Sequence, residues 1–148
     1  MAVPGADPLS GVERLLAAAE DGRLDVLADR FGLRLLGVFG SAARAHRFPG
    51  RADRPPRDLD VAVSFTGDRD GPPPLVELVD ALVELTGCDA VDVAVIDGAS
   101  PVLRAEALVG LPLYERTAGD YAVTQMAALA ERRDTAHLRR LDLAALGH

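Results

Sequence analysis

Two apolar segments, joined through a Gly-Ser turn and a polar loop, restrict the possible folds of this 148-residue chain more than any other part of it. The first segment, Leu33–Phe39, leads into Gly40 and Ser41 and has the composition of a buried strand that ends in a tight turn. The second segment, 58–65, is also strand-like and begins with Asp-Leu-Asp. Residues 42–45, after the turn, are expected to begin a short helix.

The second segment and a later one carry the candidate metal-binding carboxylates. Because side chains alternate along a strand, Asp58 and Asp60 are expected on one face and the apolar residues between and after them on the other. Asp92 interrupts the apolar segment 91–96, where a buried carboxylate is costly without a cation or hydrogen-bond donors. If the two strands are neighbours, the three carboxylates form a cluster, and hard oxygen ligands of this kind suit Mg²⁺.

The turn itself has the properties of a phosphate site. Gly40 and Ser41 offer backbone N–H groups and a hydroxyl at the positive end of the following helix. Arg44 lies one turn into that helix, where it is either a phosphate ligand or a solvated surface residue. The loop 46–57 adds further arginines beside the carboxylates, and His46 within it is predicted to be a surface residue. A phosphate-binding turn beside metal-binding carboxylates provides the groups that metal-assisted nucleotidyl transfer requires.

The rest of the chain alternates helices and strands, which predicts a small α/β (α+β) domain with a mixed sheet flanked by helices. We expect one or two helices before the first strand, with Ser10 and Glu13 as a capping box, and a helix over 75–86. Strands are predicted over 91–96 and 111–114, separated by a helix that begins at Ser100 and Pro101.

A single domain is expected over 1–148, with a loose leader at 1–9 and a C-terminal helix and tail at 118–148. The last helix is predicted over about 119–141, with a cap from Thr117 and Asp120.

Charge and cysteine content limit the possible partners and compartment. The net charge is −7 and all 16 basic residues are arginine, a balance that argues against nonspecific binding to nucleic acid. Cys88 is the only cysteine, so an intrachain disulfide is impossible, and a small buried side chain is expected there. Neither a membrane-spanning run nor a signal peptide is apparent, which favours the cytoplasm.

At Gly40-Ser41, Asp58-x-Asp60 and Asp92 the sequence resembles the DNA polymerase β-like nucleotidyltransferases. The resemblance extends over 33–116, and its closing segments resemble the minimal nucleotidyltransferase (MNT) branch. It implies a polymerase β-like nucleotidyltransferase fold and an antitoxin of a type VII HEPN/MNT pair. Such an antitoxin transfers AMP from ATP to a tyrosine of its HEPN-domain toxin, silencing the toxin's RNase activity, and forms a hetero-oligomer with it.

The resemblance also implies the role of each residue. Asp58, Asp60 and Asp92 would bind two Mg²⁺ ions, with Asp92 as general base, while Gly40 and Ser41 would hold the β- and γ-phosphates of ATP. The chain departs from the family in three places. Ala45 stands where glycine is usual, Arg57 stands where serine is common, and the loop before Asp58 is longer.

Two other functions remain open on the sequence alone. One is transfer of a nucleotide to a small molecule such as an aminoglycoside, although those enzymes usually carry a further substrate-binding domain. The other is a noncatalytic antitoxin that neutralises its partner by binding alone. The acceptor residue, the number of AMP units, the nucleotide preference and the stoichiometry of the complex are also left open.

Overall fold

The computed structural model describes residues 6–51, 54–68 and 70–146, and only the backbone for 137–139 and 141–146. Within these residues, no helix combines the length and hydropathy that crossing a bilayer requires. A short 3₁₀ turn, Ile96–Gly98, follows the third strand. The helices and strands, in chain order, are α1 (Pro8–Asp21), α2 (Arg23–Phe31), β1 (Leu33–Phe39), α3 (Gly40–Arg47), β2 (Leu59–Phe65), α4 (Leu75–Thr86), β3 (Val91–Val95), α5 (Pro101–Leu108), β4 (Leu111–Glu115) and α6 (Asp120–Leu146).

The four strands form one mixed sheet in the order β3-β2-β1-β4. β1 is antiparallel to both β2 and β4, whereas β2 and β3 are parallel. As a result, the end of β1 and the beginnings of the other three strands lie along the same edge of the sheet. The predicted mixed sheet is confirmed, and the bounds of β1 and α4 are as predicted.

Each face of the sheet is covered by its own apolar cluster. Leu59, Val61 and Val63 of β2 pack with α1, α2 and α4 on one face, as the strand alternation predicts. Ala62 faces the opposite way and packs with α5 and α6. Asp60 is two residues before Ala62 and therefore shares the α5/α6 face. Burial of a leucine such as Leu59, which is fully buried, contributes about 1.5–3 kcal/mol.

The predicted capping box at the first helix is wrong. Asp7 is the N-cap instead, and its carboxylate accepts a hydrogen bond of 2.8 Å from the backbone N–H of Ser10. Pro8, with its fixed φ and no N–H to leave unpaired, occupies the first helical position. The predicted leader at 1–9 therefore ends before Pro8, and its residues 1–5 lie outside the described residues. The predicted burial of Cys88 is confirmed.

The last helix is also capped differently from the prediction. The Glu115 carboxylate, at the end of β4, accepts hydrogen bonds from the backbone N–H groups of Gly119 and Tyr121, at 3.0 and 2.9 Å. These donors hold the pKa of Glu115 below its usual range. Thr117 contributes only its backbone carbonyl, which accepts from Asp120. The helix continues to Leu146, beyond the predicted end, and the side chains of its last turns lie outside the described part.

Ionic and hydrogen-bonded side chains close the end of the sheet that is opposite to the beginning of β2. Arg34 donates to Ser64 at 3.1 Å and to Asp120 at 2.6 Å, which joins β1, β2 and α6. The Asp97 carboxylate accepts from the Ser64 hydroxyl at 2.5 Å and from the Phe65 N–H at 2.9 Å. At this end, the carboxylates of Asp97 and Asp120 are thus satisfied by protein donors.

A substitution at Gly37, in the middle of β1, can show how tightly α6 packs on the sheet. A methyl group there would collide with the Tyr121 hydroxyl and lie 2.8 Å from the carbonyl oxygen of Leu111. We expect Gly37→Ala to lower the free energy of unfolding by about 1–3 kcal/mol in urea denaturation.

The Tyr121 hydroxyl has no hydrogen-bond partner among the described residues. Tyr121→Phe should therefore cost little alone and restore part of the loss in the double variant. An unchanged midpoint for Gly37→Ala would contradict this packing.

Candidate active site

The predicted carboxylates meet at the edge where β2 and β3 begin. Asp60 of β2 and Asp92 of β3 are direct partners in the parallel ladder, so both side chains lie on the α5/α6 face. Asp58 comes two residues before Asp60, just ahead of β2, and is exposed. The prediction that Asp92 is buried is wrong. β3 is an edge strand of the sheet, so Asp92 is open to solvent.

Gly40 brings the turn after β1 against the same carboxylate. Phe39, the last residue of β1, is the antiparallel partner of Asp60. Gly40 follows with a left-handed φ of 72°, and a methyl group on it would collide with the Asp60 carboxylate. Both the backbone angle and the close approach therefore require glycine at this position.

α3 begins at Gly40, two residues before the predicted start at residue 42. Its N-cap residue, Phe39, provides no side-chain hydrogen bond, so the first N–H groups of the helix are not capped by a side chain. They lie beside Asp60, at the positive end of the helix dipole. The helix continues through Arg47, so the prediction that His46 lies in a loop is wrong: it is half-buried in the last turn.

Electrostatic repulsion is concentrated on Asp60. Burial raises the pKa of Asp60 above its usual range, and the neighbouring carboxylates of Asp92 and Asp58 raise it further. The Arg44 guanidinium acts in the opposite direction. Among the described residues, none of these three carboxylates accepts a hydrogen bond from, or forms an ion pair with, a protein group. A partly buried carboxylate that two others repel, and that has no donor, is characteristic of a site that binds a cation.

Whether these residues fit a metal ion depends on the donors and their freedom to move. In the conformation described, no three Asp, Glu, His or Cys side chains of the described chain are close enough together to hold a metal. The donors are nevertheless carboxylate oxygens of the kind Mg²⁺ prefers, and Asp60 and Asp92 are adjacent. Asp58 and Asp92 are exposed and can change rotamer at little cost. The set therefore fits a divalent cation once these side chains turn towards it.

Two clefts flank α3, and sequence reasoning identified neither of them. One has a volume of about 370 Å³ and is lined by Ser41, Arg44, Ala45, Phe48 and Arg51. Phe48 is 49% exposed, and the Arg51 guanidinium lies 5.7 Å from its ring centroid. Phe48 stands in the polar, Arg- and Pro-rich segment 46–57, and an aromatic residue there is the sequence signal that could have pointed to this cleft.

The second cleft, of about 410 Å³, opens beside Gly40 on the other side of α3. Arg47 reaches towards it and donates to the carbonyl oxygen of Val109 at 3.2 Å. Arg47 and Arg51 thus each have a contact at α3, Arg47 with the Val109 carbonyl and Arg51 with the Phe48 ring.

Comparisons with known proteins found similarity in structure but not in sequence. No protein-family model matches the chain, and no curated protein matches it. A chain from a toxin–antitoxin structure with AMP-PNP aligns with a TM-score of 0.60 at 20% identity, covering 86% of this chain and 98% of that one. A chain from the complex of a tri-AMPylated Shewanella oneidensis HEPN toxin with an MNT antitoxin aligns with a TM-score of 0.59 at 20% identity, covering 90% and 99%.

A chain from the MntA–HepT toxin–antitoxin structure aligns with a TM-score of 0.58 at 20% identity, covering 89% of this chain and 99% of that one. At this identity the similarity defines the fold. The predicted nucleotidyltransferase fold is confirmed, and so is the likeness to the minimal nucleotidyltransferase antitoxins at the level of fold.

The raised pKa of Asp60 predicts that this carboxylate destabilises the metal-free protein. The folded chain holds the proton more tightly than the unfolded chain, so stability falls as the pH rises from 3.8, the ordinary value, through the raised pKa. At neutral pH we therefore expect Asp60→Asn to raise the thermal midpoint in metal-free buffer. The two proteins should converge as the pH falls towards 4.

Asp80→Asn, at an exposed position of α4, is the matched control and should leave the midpoint unchanged. A lower midpoint for Asp60→Asn at neutral pH would show that the carboxylate is satisfied rather than strained.

Proposed function

We propose that this chain is a HEPN/MNT antitoxin that transfers AMP from ATP to a tyrosine hydroxyl of its HEPN toxin. The observation that carries the proposal is the ladder pairing of Asp60 with Asp92, beside the uncapped start of α3. The structural neighbours support it, since one contains AMP-PNP and another contains a tri-AMPylated toxin. The proposal includes a cytoplasmic location, together with the partner, and a single nucleotidyltransferase domain over 1–148.

The nucleotide would be held by groups of two kinds. The N–H groups of Gly40 and Ser41, together with the Ser41 hydroxyl, would bind the phosphates at the positive end of α3. Arg44, whose charge already acts on Asp60, would contribute a cation from the exposed side of the helix. Asp58, Asp60 and Asp92 would hold Mg²⁺. When bound, Mg²⁺ would lower the pKa of the acceptor hydroxyl and neutralise charge on the leaving pyrophosphate.

Asp92 is suited to the role of general base. It lies on the edge strand, where an acceptor hydroxyl can approach without displacing another strand. The acceptor oxygen would attack the α-phosphorus of ATP, forming a new O–P bond. The bond from the α-phosphorus to the bridging oxygen breaks, pyrophosphate leaves, and the hydroxyl proton passes to Asp92. No covalent intermediate with the protein is needed.

Exposed apolar side chains on α6 support a protein partner. Val123 and Met126 are 65% and 69% exposed and are three residues apart, so they share one side of the helix. Large apolar residues grouped in this way on a helix surface commonly bind another protein. A toxin bound to α6 would form a hetero-oligomer with the antitoxin. Because the chain is acidic, we expect no direct contact between it and nucleic acid.

The reaction can be tested by the intact mass of the proposed HEPN partner, after incubation with this chain, ATP and Mg²⁺. We expect a gain of one or more AMP units. Asp60→Asn and Asp92→Asn should reduce the initial rate at least about 100-fold, because each removes a metal ligand and the latter also removes the base.

Asp89→Asn is the matched control, since Asp89 is an exposed aspartate just before β3, and this variant should keep the full rate. A stable complex without any change in mass would instead indicate a noncatalytic antitoxin. Absence of both modification and binding would overturn the toxin–antitoxin proposal, and small-molecule acceptors would then be tested.

A further inference from the structure

The cleft of about 410 Å³ beside Gly40 contains two arginines, Arg47 and Arg132, that have no role in the function proposed above. It lies between α3 on one side and the end of α5 and the middle of α6 on the other. Its lining residues are Gly40, Ala43, Arg44, Arg47, Phe48, Glu106, Val109, Gly110 and Arg132. Gly110 lies directly against β1, because a methyl group on it would collide with the backbone of Val38.

The cleft is basic around an apolar floor. Arg44, Arg47 and Arg132 contribute three guanidinium groups, against the single carboxylate of Glu106. Among the described residues, Arg132 forms no ion pair. The neighbouring acid Glu131 is already bound by Arg104 at 2.9 Å, so it leaves the charge of Arg132 available.

The position of the cleft follows from the strand order. Along the edge of the sheet, Asp92 of β3 is followed by Asp60 of β2, then by Gly40 after β1, and finally by Gly110 before β4. The cleft lies at the Gly40–Gly110 end of this row, and it opens on the α5/α6 side that also carries Asp60. Asp92 lies at the opposite end of the row.

In an in-line displacement, the attacking group and the leaving group lie on opposite sides of the phosphorus, so the position of one along this row indicates the position of the other. If the acceptor hydroxyl attacks from the Asp92 end, then the leaving pyrophosphate departs towards Gly40 and the basic cleft. We propose that Arg47 and Arg132 of this cleft bind the terminal β- and γ-phosphates, in addition to Gly40, Ser41 and Arg44. The inference rests on the proposed function, because it takes its direction from the position of the base.

The test is a calorimetric titration with three probes in the presence of Mg²⁺: ATP, AMP and inorganic pyrophosphate. Arg132→Gln should weaken binding of ATP and pyrophosphate about 10-fold or more, since a charge-assisted hydrogen bond to phosphate is lost. Binding of AMP should be unchanged. Arg47→Gln should act in the same direction. Arg133→Gln, at the next and equally exposed position of α6, is the matched control and should bind all three probes as the wild type does.

Pyrophosphate is the decisive probe, because it has no base or sugar that could bind elsewhere on the chain. Equal losses for AMP and ATP would mean that the cleft holds the nucleoside, and they would overturn the inference. So would unchanged binding of pyrophosphate by Arg132→Gln, even if the aspartate variants lose AMP transfer as proposed. A wild-type chain that binds neither ATP nor pyrophosphate would overturn both the inference and the proposed function, and the two failures are distinguished in this way.

Discussion

Repulsion between carboxylates at one end of the sheet is the constraint on which the site depends. Asp60 is partly buried, paired in the ladder with Asp92 and preceded by Asp58, and no protein donor satisfies the three among the described residues. Left without a cation, this arrangement costs stability. Gly40 then brings the start of α3 against Asp60 and leaves N–H groups there for an anion, while the Arg44 guanidinium partly offsets the repulsion. Under the proposed function, a metal–nucleotide would supply both the cation for the carboxylates and the anion for the helix start.

The two ends of the sheet differ in how their acidic groups are satisfied. At the far end, Asp97 and Asp120 accept hydrogen bonds from Ser64, Phe65 and Arg34, and these contacts join strands to helices. At the near end, no donor in the described part of the chain satisfies Asp58, Asp60 or Asp92. The acids at the far end thus contribute contacts between strands and helices, whereas under the proposed function those at the near end would be satisfied by a ligand.

Local patterns in the sequence predicted most of the elements that build the site. The apolar alternation of 59–65 identifies a strand and assigns Asp60 to the face opposite Leu59, and the Gly-Ser pair identifies the turn before α3. These features depend on neighbours in the chain, so their periodicity is visible in the sequence. The cluster expected of these carboxylates requires adjacent strands, and the parallel ladder places Asp60 beside Asp92.

Features that depend on distant residues could not be predicted in this way. The exposure of Asp92 follows from the position of β3 at the edge of the sheet, which no local pattern specifies. The cap of α6 comes from Glu115 on a strand, and the basic cleft needs Arg132, which is distant in sequence from Arg44. Each of these arises only when helices are packed on the sheet, so only the charges of the residues concerned are visible in the sequence.

The most direct measurement is a crystal structure of the chain with Mn²⁺ and a non-hydrolysable ATP analogue, in which anomalous scattering locates the metal. The predicted result is manganese bound by the carboxylates of Asp58 and Asp60, with the phosphates of the analogue on the N–H groups of Gly40 and Ser41. Manganese and nucleotide bound together elsewhere on the chain, with Asp60 free of both, would contradict it.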